Sequence, residues 1–385
     1  MIKMSCALTL EIDEQEQALS EILDQIDIGS LLKNSVGVIS CNYEFISNGI
    51  VKYLCDNLPF DVIGLTTMVT LINGEYDQYS LGITVITSDD ISFKTISTAE
   101  LNIDNYIEEL DRVSRDGLTK SDDLPSFILT VFPYLLDASG SLLVSQFDKS
   151  FKGIPVWGTV SSDDTTSFKN ARTIYNGYDS ATALPMILMY GPVNPKFFIA
   201  ALPERNISSH KAVITDSDDY RVYSVNDITL LDYFKQMGMV LSVGPDVLTI
   251  PAIIDYGDGS KPVASAFFKI FPDGSGLTSI RAPKGATISL GEIDYEGIIE
   301  TAEESILNVL DVEDATGILM FPCITRYMMS SPRSDDEMRL VMEKIGSKLP
   351  YMLAYSGGEL CPVPGTDGSL HNRYHNYTFV ACVFS

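Results

Sequence analysis

Residues 317–323 form an apolar run, GILMFPC, and residues 349–358 form a second one, LPYMLAYSGG. Short apolar runs bounded by Gly and Pro are typical of strands buried on both faces of a sheet. A helical pattern near residues 335–346 lies between the two runs. A strand–helix–strand connection of this length favours parallel pairing with a right-handed crossover. A last run, YTFVACVF at residues 377–384, returns through a polar turn, and we expect it to pair antiparallel.

The same order of signals occurs twice more towards the N-terminus. Apolar runs at residues 36–43, 58–67 and 79–86 form the first copy, and runs at 127–134, 154–159 and 183–190 form the second. A longer amphipathic helical pattern precedes each of the three copies. The sequence therefore predicts an α/β protein of two domains, in which repeated strand–helix–strand–strand units form mixed sheets flanked by helices.

Residues 196–275 break this repetition, because several strand patterns and one short helical pattern follow one another there. We therefore predict an N-terminal domain of two repeat units at residues 1–195. Residues 196–275 are predicted to be connecting strands and a helix that lead into the second domain, at residues 276–385.

The charge balance restricts the classes of partner. The 385 residues include 26 Lys and Arg against 52 Asp and Glu, a formal net charge of −26. Such a surface repels phosphate backbones and anionic membranes. The sequence contains neither an apolar run of membrane-spanning length nor a signal-peptide pattern. Six scattered cysteines without a C-x-x-C pair indicate reduced thiols. We expect a cytoplasmic protein that binds no nucleic acid and no membrane.

Small ligands of open α/β sheets bind beyond the carboxyl ends of the strands. In the third unit these ends carry Cys323, Arg326 and the segment from Tyr355 to Glu359. Arg326 can clamp a carboxylate or phosphate, Gly357 and Gly358 allow backbone N–H groups to approach a ligand, and Glu359 can bind an ammonium group. These groups together suit an amino-acid-like zwitterion. The alternative is that Arg326 and Glu359 form an ion pair that joins two loops.

Two further chemistries remain open at the same strand ends. Cys323 can act as a nucleophile with His371 or His375 as its base, or it can be a small buried thiol. The two histidines are four residues apart, yet the sequence around them predicts a strand and its entry loop rather than a helix. Either one can be an axial haem ligand, although no C-x-x-C-H attachment motif occurs. We expect no metal site, no cofactor and no enzymatic activity.

Three motifs carry a resemblance to a known family. They are MFPCITR at residues 320–326, YSGGELCP at 355–362 and HNYT at 375–378. This segment resembles the C-terminal half of the FIST family (F-box and intracellular signal transduction), and residues 36–190 are similar to its N-terminal half. The resemblance is most specific at Cys323, Arg326, Gly358, Glu359 and Asn376, and it adds Asn376 to the predicted ligand site.

The resemblance implies an intracellular sensory module that binds a small molecule, such as an amino acid or one of its derivatives. Because no kinase, methyl-accepting or cyclase region follows Ser385, we expect signalling to need a separate partner protein. Some relatives bind haem and report nitric oxide, which keeps a haem-binding sensor as an alternative. A Cys323-dependent transferase or hydrolase is the second alternative.

Overall fold

The computed structural model describes residues 2–118, 124–135, 139–165, 167–241 and 249–385. The first repeat unit contains the strands and helices β1 (Ile2–Thr9), α1 (Gln15–Gln25), β2 (Asn34–Cys41), α2 (Glu44–Ser47), α3 (Ile50–Asn57), β3 (Asp61–Thr66), β4 (Thr70–Ile72), β5 (Glu75–Asp77) and β6 (Leu81–Ser88). A short 3-10 helix at Ile28–Ser30 separates α1 from β2.

The second unit repeats this order with one helix fewer. It contains β7 (Ser92–Ser97), α4 (Tyr106–Leu118), β8 (Phe127–Phe132), α5 (Gly140–Ser150), β9 (Val156–Val160), β10 (Thr173–Tyr175), β11 (Tyr178–Ser180) and β12 (Pro185–Tyr190). Ser139 caps α5, because its side chain accepts a hydrogen bond from the N–H of Leu142.

The third unit is interrupted after its first strand, β13 (Lys196–Ala200). The insertion contains a 3-10 helix (Glu204–Asn206), β14 (Ala212–Ser217), β15 (Arg221–Val225), β16 (Ile228–Thr229), α6 (Leu230–Gln236), β17 (Ile250–Asp255), β18 (Val263–Ile270), β19 (Gly276–Thr278) and β20 (Thr287–Leu290). The unit then resumes with α7 (Tyr295–Leu310), β21 (Gly317–Pro322), α8 (Ile324–Met329), α9 (Asp336–Ile345), β22 (Tyr351–Ala354), β23 (Glu359–Pro364), β24 (Leu370–His375) and β25 (Phe379–Phe384).

The three units form three sheets with one shared strand order. The sheets run β1-β6-β2-β3-β10-β11, β7-β12-β8-β9-β23-β24 and β13-β25-β21-β22-β4-β5. In each sheet the two strands that flank the middle helices are parallel, and the unit's last strand pairs antiparallel with the first of them. The predicted fold class, repeated units with mixed sheets and flanking helices, is confirmed.

Each unit lends its hairpin to the sheet of another unit. The β4–β5 hairpin of the first unit pairs with β22, β10–β11 of the second unit pairs with β3, and β23–β24 of the third unit pairs with β9. The exchange is circular, so every sheet contains strands from two units. The sequence predicted these segments only as turns and closing strands, because periodicity carries no information about which sheet a hairpin joins.

An asparagine side chain fastens each exchanged hairpin. Asn73 Oδ1 accepts the N–H of Tyr351 at 3.0 Å, and Asn176 Oδ1 accepts the N–H of Val62 at 2.8 Å. The third hairpin uses Asn372, whose Oδ1 accepts the N–H of Val156 at 2.9 Å and whose Nδ2 donates to the carbonyl of Ile154. Three units with little sequence in common therefore use the same contact.

The three sheets enclose one shared apolar core. This inner core takes side chains from all three sheets, including Val38, Leu129 and Phe321. Trp157 of the second sheet stacks on Phe321 of the third, with ring centroids 4.7 Å apart. The helices cover the outer faces, where further cores form, for example around Ile22 and Leu54 in the first unit.

The insertion builds a fourth, seven-stranded sheet with the order β14-β20-β17-β18-β19-β15-β16. Residues 196–275, predicted to connect two domains, supply β13 of the third sheet and most strands of this fourth sheet. The predicted boundary after residue 275 falls between β18 and β19. These two strands pair with each other in the fourth sheet. The fourth sheet packs against the second unit, since one core cluster combines residues such as Phe147 and Phe267.

Candidate functional site

The carboxyl ends of β3, β9 and β22 meet and are joined by hydroxyl groups. Thr66 Oγ1 donates to the carbonyl of Ser162 at 2.8 Å. Thr67 Oγ1 and Ser162 Oγ both donate to the carbonyl of Tyr355, at 2.7 and 3.0 Å. Ser161 Oγ, in the same cluster, is buried and has no hydrogen-bond partner among the described residues. The strand ends of the three units therefore meet around buried hydroxyl groups.

Arg326 has no donor left for a ligand. Its guanidinium is buried and lies against Glu337, with Nε and Nη2 donating to Oε1 at 2.9 and 2.6 Å. The remaining N–H groups reach Thr301 Oγ1 and the carbonyls of Ile298 and Tyr377. The expectation of a guanidinium open to a ligand is wrong for this structure. The alternative pair with Glu359 is also wrong, because the partner is Glu337 on α9.

Tyr355 belongs to the same closed network. It is fully buried, and its hydroxyl donates to Glu337 Oε2 at 2.9 Å. Burial and the adjacent Glu337 carboxylate raise the pKa of this phenol. Tyr355 thus holds Glu337 in place for Arg326, and its hydroxyl faces no opening.

Glu359 is a buried carboxyl group with one unpartnered oxygen. Its Oε2 accepts a hydrogen bond from Thr378 Oγ1 at 2.8 Å, whereas Oε1 has no partner among the described residues. Burial raises the pKa of Glu359 to about 8, which favours the neutral carboxyl group. Cys323 lies beside it, and burial together with Glu359 raises the pKa of that thiol. A neutral thiol of this kind is not an activated nucleophile.

Gly357 and Gly358 serve packing within the protein. The N–H of Gly357 donates to the carbonyl of Val160 at 2.9 Å, and the N–H of Gly358 donates to Ser356 Oγ at 3.1 Å. A Cβ atom on Gly358 would overlap the Tyr374 hydroxyl. The missing side chain at Gly358 thus makes room for Tyr374.

Asn376 connects the third unit to the fourth sheet. Its Oδ1 accepts a hydrogen bond from Ser279 Oγ at 2.5 Å, and its N–H donates to the carbonyl of Ala264 at 3.2 Å. The structure therefore places Cys323, Glu359, Gly358 and Asn376 around Tyr374, while Arg326 belongs to a separate network behind them.

The two histidines lie on strand β24, which the sequence predicted as an entry loop. His375 is buried, its Nε2 lies 3.0 Å from the carbonyl of Cys361, and burial lowers its pKa to about 4. Nε2 of His371 contacts Ser369 Oγ at 3.0 Å. Within the residues that the structure describes, no group of three His, Cys, Asp or Glu side chains could hold a metal ion. In the same part of the chain, none of the helices combines the length and apolarity needed to cross a membrane.

Tyr374 also lines a cleft of about 100 Å³, which does not include Cys323, Glu359 or Asn376. One face of α5 forms its floor, and its walls come from β24 and from loops of the insertion. We call it the α5–β24 cleft. Its lining residues are Ser141, Val144, Ser145, Asp148, Tyr256, Asp258, Arg281, Asn372, Arg373 and Tyr374.

Arg373 is one of two arginines that line this cleft. Its Nη2 donates to Asp258 Oδ2 at 2.5 Å and to Ser260 Oγ at 3.2 Å, and its guanidinium lies over the Tyr256 ring, 4.8 Å from the centroid. Its Nε is buried and has no partner among the described residues. A buried, unpaired N–H of a guanidinium costs free energy, so this group is suited to receive an acceptor from a ligand.

Asp148 provides an acidic group in the same cleft. It accepts a hydrogen bond from Asn372 Nδ2 at 2.6 Å, and burial raises its pKa. Arg281, on the insertion side, pairs with Asp219 outside the cleft at 3.0 Å and stays half exposed. The cleft thus presents two guanidinium groups and two carboxyl groups within a small volume.

Sequence reasoning missed Asn372, Arg373 and Tyr374, although they adjoin the predicted HNYT motif. The only local signal was a cluster of polar and aromatic residues, HNRYHN, before a closing strand. Nothing local indicates that this segment is a strand of the second sheet facing α5.

The chain belongs to the FIST family: the FIST N domain matches residues 35–228 and the FIST C domain matches residues 241–362. FIST domains are sensory domains of signal transduction, and the predicted family is thereby confirmed. No curated protein matches the chain.

Two solved structures similar to this chain are cyanuric acid hydrolases. The enzyme from A. caulinodans has a TM-score of 0.38 and 7% sequence identity, over 100% of this chain and 99% of the hydrolase. A second one, described as an evolutionary innovation by structural concatenation, has a TM-score of 0.36 and 7% identity over both full lengths. At these values the likeness supports no inference about activity.

Proposed function

We propose that this chain is the sensory domain of a signalling system, and that it binds a small anion or zwitterion, such as an amino acid, in the α5–β24 cleft. A separate partner protein reads the bound state. The proposal rests on Nε of Arg373, which is buried and has no hydrogen-bond partner among the described residues. Buried donors are normally paired, so we infer that a ligand supplies the acceptor.

The chemistry of the cleft favours a ligand with a carboxylate. Arg373 can offer Nε to a carboxylate oxygen while Asp258 and Tyr256 hold the guanidinium in place. Asp148 can accept an ammonium group in its ionised form. The volume of about 100 Å³ suits a ligand of a few heavy atoms. This assignment moves the predicted ligand site from Arg326 to Arg373 and keeps the predicted ligand class.

The position of the cleft also suits a sensor. Arg281 and Asp258 come from the insertion, whereas Asp148 comes from the second unit and Arg373 from the exchanged hairpin. A ligand that contacts both sides stabilises one arrangement of the insertion against the sheets. Such a preference between two arrangements is what a ligand needs to produce a signal.

Thermal unfolding in the presence of single amino acids, acetate and methylamine tests the proposal. We expect at least one carboxylate ligand to raise the melting temperature of the wild type, since a ligand that binds only the folded state stabilises it. Arg373→Lys keeps the charge but removes Nε and the planar fork, and we expect it to abolish that rise. The control is Arg339→Lys, on the exposed face of α9.

Two results would contradict the proposal. One is a wild type whose melting temperature responds to none of the carboxylates. The other is an unchanged ligand response in Arg373→Lys protein whose circular dichroism matches that of the wild type.

A further inference from the structure

A second cavity, of about 480 Å³, opens between the first and second units. We call it the Phe60 cavity. Its apolar lining consists of Ile28, Leu31, Leu32, Pro59, Phe60 and Phe93, which come from the segment before β2, the turn between α3 and β3, and strand β7. Its volume lies in the range of roughly 300–1,000 Å³ that is usual for ligand sites.

The apolar walls of this cavity are half buried and anchored in two different cores. Ile28, Leu31 and Phe60 pack on the outer core of the first unit, whereas Phe93 packs on the inner core. Their exposed faces line the opening. Covering these faces with an apolar molecule removes them from water and is favourable.

The neighbouring polar side chains are already satisfied, with one exception. Asn34 Nδ2 donates to the carbonyl of Ile91 at 2.9 Å, and Ser35 Oγ is 2.9 Å from Thr87 Oγ1. Lys33 is exposed at the cavity, and its ammonium group has no ion-pair partner among the described residues. Among its described lining residues, the cavity thus combines apolar side chains with one lysine.

We infer that the Phe60 cavity binds an amphipathic monocarboxylate, a molecule with one carboxylate and a medium-length alkyl chain. The chain lies against Phe60 and Phe93, and Lys33 holds the carboxylate. A protein with a net charge of −26 repels anions at long range, so an anion site on it requires a local cation. The same cation disfavours an amine of equal length. This site shares no residue with the α5–β24 cleft and does not depend on the proposed function.

Calorimetric titration with decanoate, below its micelle-forming concentration, tests the inference. We expect saturable one-to-one binding by the wild type and weaker binding of decylamine. Lys33→Gln removes the cation from an exposed position and should weaken decanoate binding by about twofold to fivefold. Lys284→Gln, at an exposed lysine of the insertion, should leave the affinity unchanged.

Three outcomes overturn the inference: no saturable decanoate binding by the wild type, equal affinity for decanoate in Lys33→Gln, or loss of decanoate binding in Arg373→Lys. The last outcome would place decanoate in the α5–β24 cleft and leave the proposed function standing. Unchanged decanoate binding in Arg373→Lys, together with the loss in Lys33→Gln, supports two separate sites.

Discussion

Arg326 and Arg373 carry the same guanidinium group, but their neighbours give them different roles. All the N–H groups of Arg326 have protein partners, and the side chain is buried with Glu337. Arg373 keeps one buried N–H without a described partner, beside a cleft. The sequence could mark Arg326 as unusual because it follows a buried strand. It could not reveal that Glu337, eleven residues later, is its partner.

Removal of Glu337 tests the structural role of Arg326. Glu337→Ala leaves a buried guanidinium without its carboxylate, and we expect the free energy of unfolding to fall by about 3–5 kcal/mol. Urea denaturation measures this value. Asp336→Ala, the adjacent and more exposed pair partner of Arg339, should cost less than about 1 kcal/mol. Similar losses in the two variants would mean that the buried pair contributes no more than a surface pair.

The raised pKa of Glu359 predicts a pH dependence of stability. In the folded state the pKa is about 8, against 4.5 for a free carboxyl, so the folded protein binds more protons between these values. Glu359 therefore contributes stability that is present at low pH and is lost as the pH rises from about 5 to 8. His375, with its pKa lowered to about 4, acts in the opposite direction between pH 4 and 6.5.

Glu359→Gln isolates the carboxyl contribution, because glutamine resembles the protonated acid and His375 is present in both proteins. We expect the variant to gain stability relative to the wild type as the pH rises from 5 to 8. Chemical denaturation at several pH values measures the difference. A difference that stays constant over this range would show that Glu359 is already ionised in the folded protein.

At the scale of the elements, the exchanged hairpins depend on their turn residues. Asn73-Gly74 and Asn176-Gly177 all have positive φ angles, which Asn and Gly tolerate best and which two-residue hairpins require. The dipeptides therefore favour tight hairpins at these two positions, although our prediction went no further than turns. Their destination was not predictable, because it depends on Asn side chains that pair with strands far along the chain, as Asn73 does with Tyr351.

Asn176→Ala tests this fastening. It loses the hydrogen bond to Val62 and places an alanine at a φ of +49°, and we expect a loss of about 2 kcal/mol. Asn176→Gly relieves the backbone strain but not the lost bond, so its loss should be about half as large. Thermal or urea unfolding separates the two variants. Equal losses in Ala and Gly variants would assign the whole effect to the side-chain contact.

For the whole molecule, the circular exchange makes the units depend on one another. The first two units, residues 1–195, lack the β22 partner of β4 and the β23 partner of β9. We expect residues 1–195 expressed alone to show no cooperative unfolding transition, and coexpression with residues 196–385 to restore a folded complex. Circular dichroism and copurification measure both results. A cooperative transition of residues 1–195 alone would refute this interdependence.

The repetition of units and their helix order were predictable at this scale, because strand and helix periods are local properties of the sequence. The closed ring of sheets was not, since it arises from pairings between residues such as Thr70 and Ala354. The fourth sheet escaped prediction for a similar reason. Its strands β14 and β20 are paired although about seventy residues separate them.

Because the β23–β24 hairpin belongs to the second sheet, Arg373 on β24 is connected to the second unit. The side chain of the adjacent Asn372 forms hydrogen bonds with the backbone of Ile154 and Val156, at the start of β9. Strand β24, which carries Arg373, is therefore connected to β9 of the second unit rather than to the sheet of its own unit. Under the proposed function, a ligand on Arg373 would therefore act on the sheet of the second unit, about two hundred residues earlier in the chain.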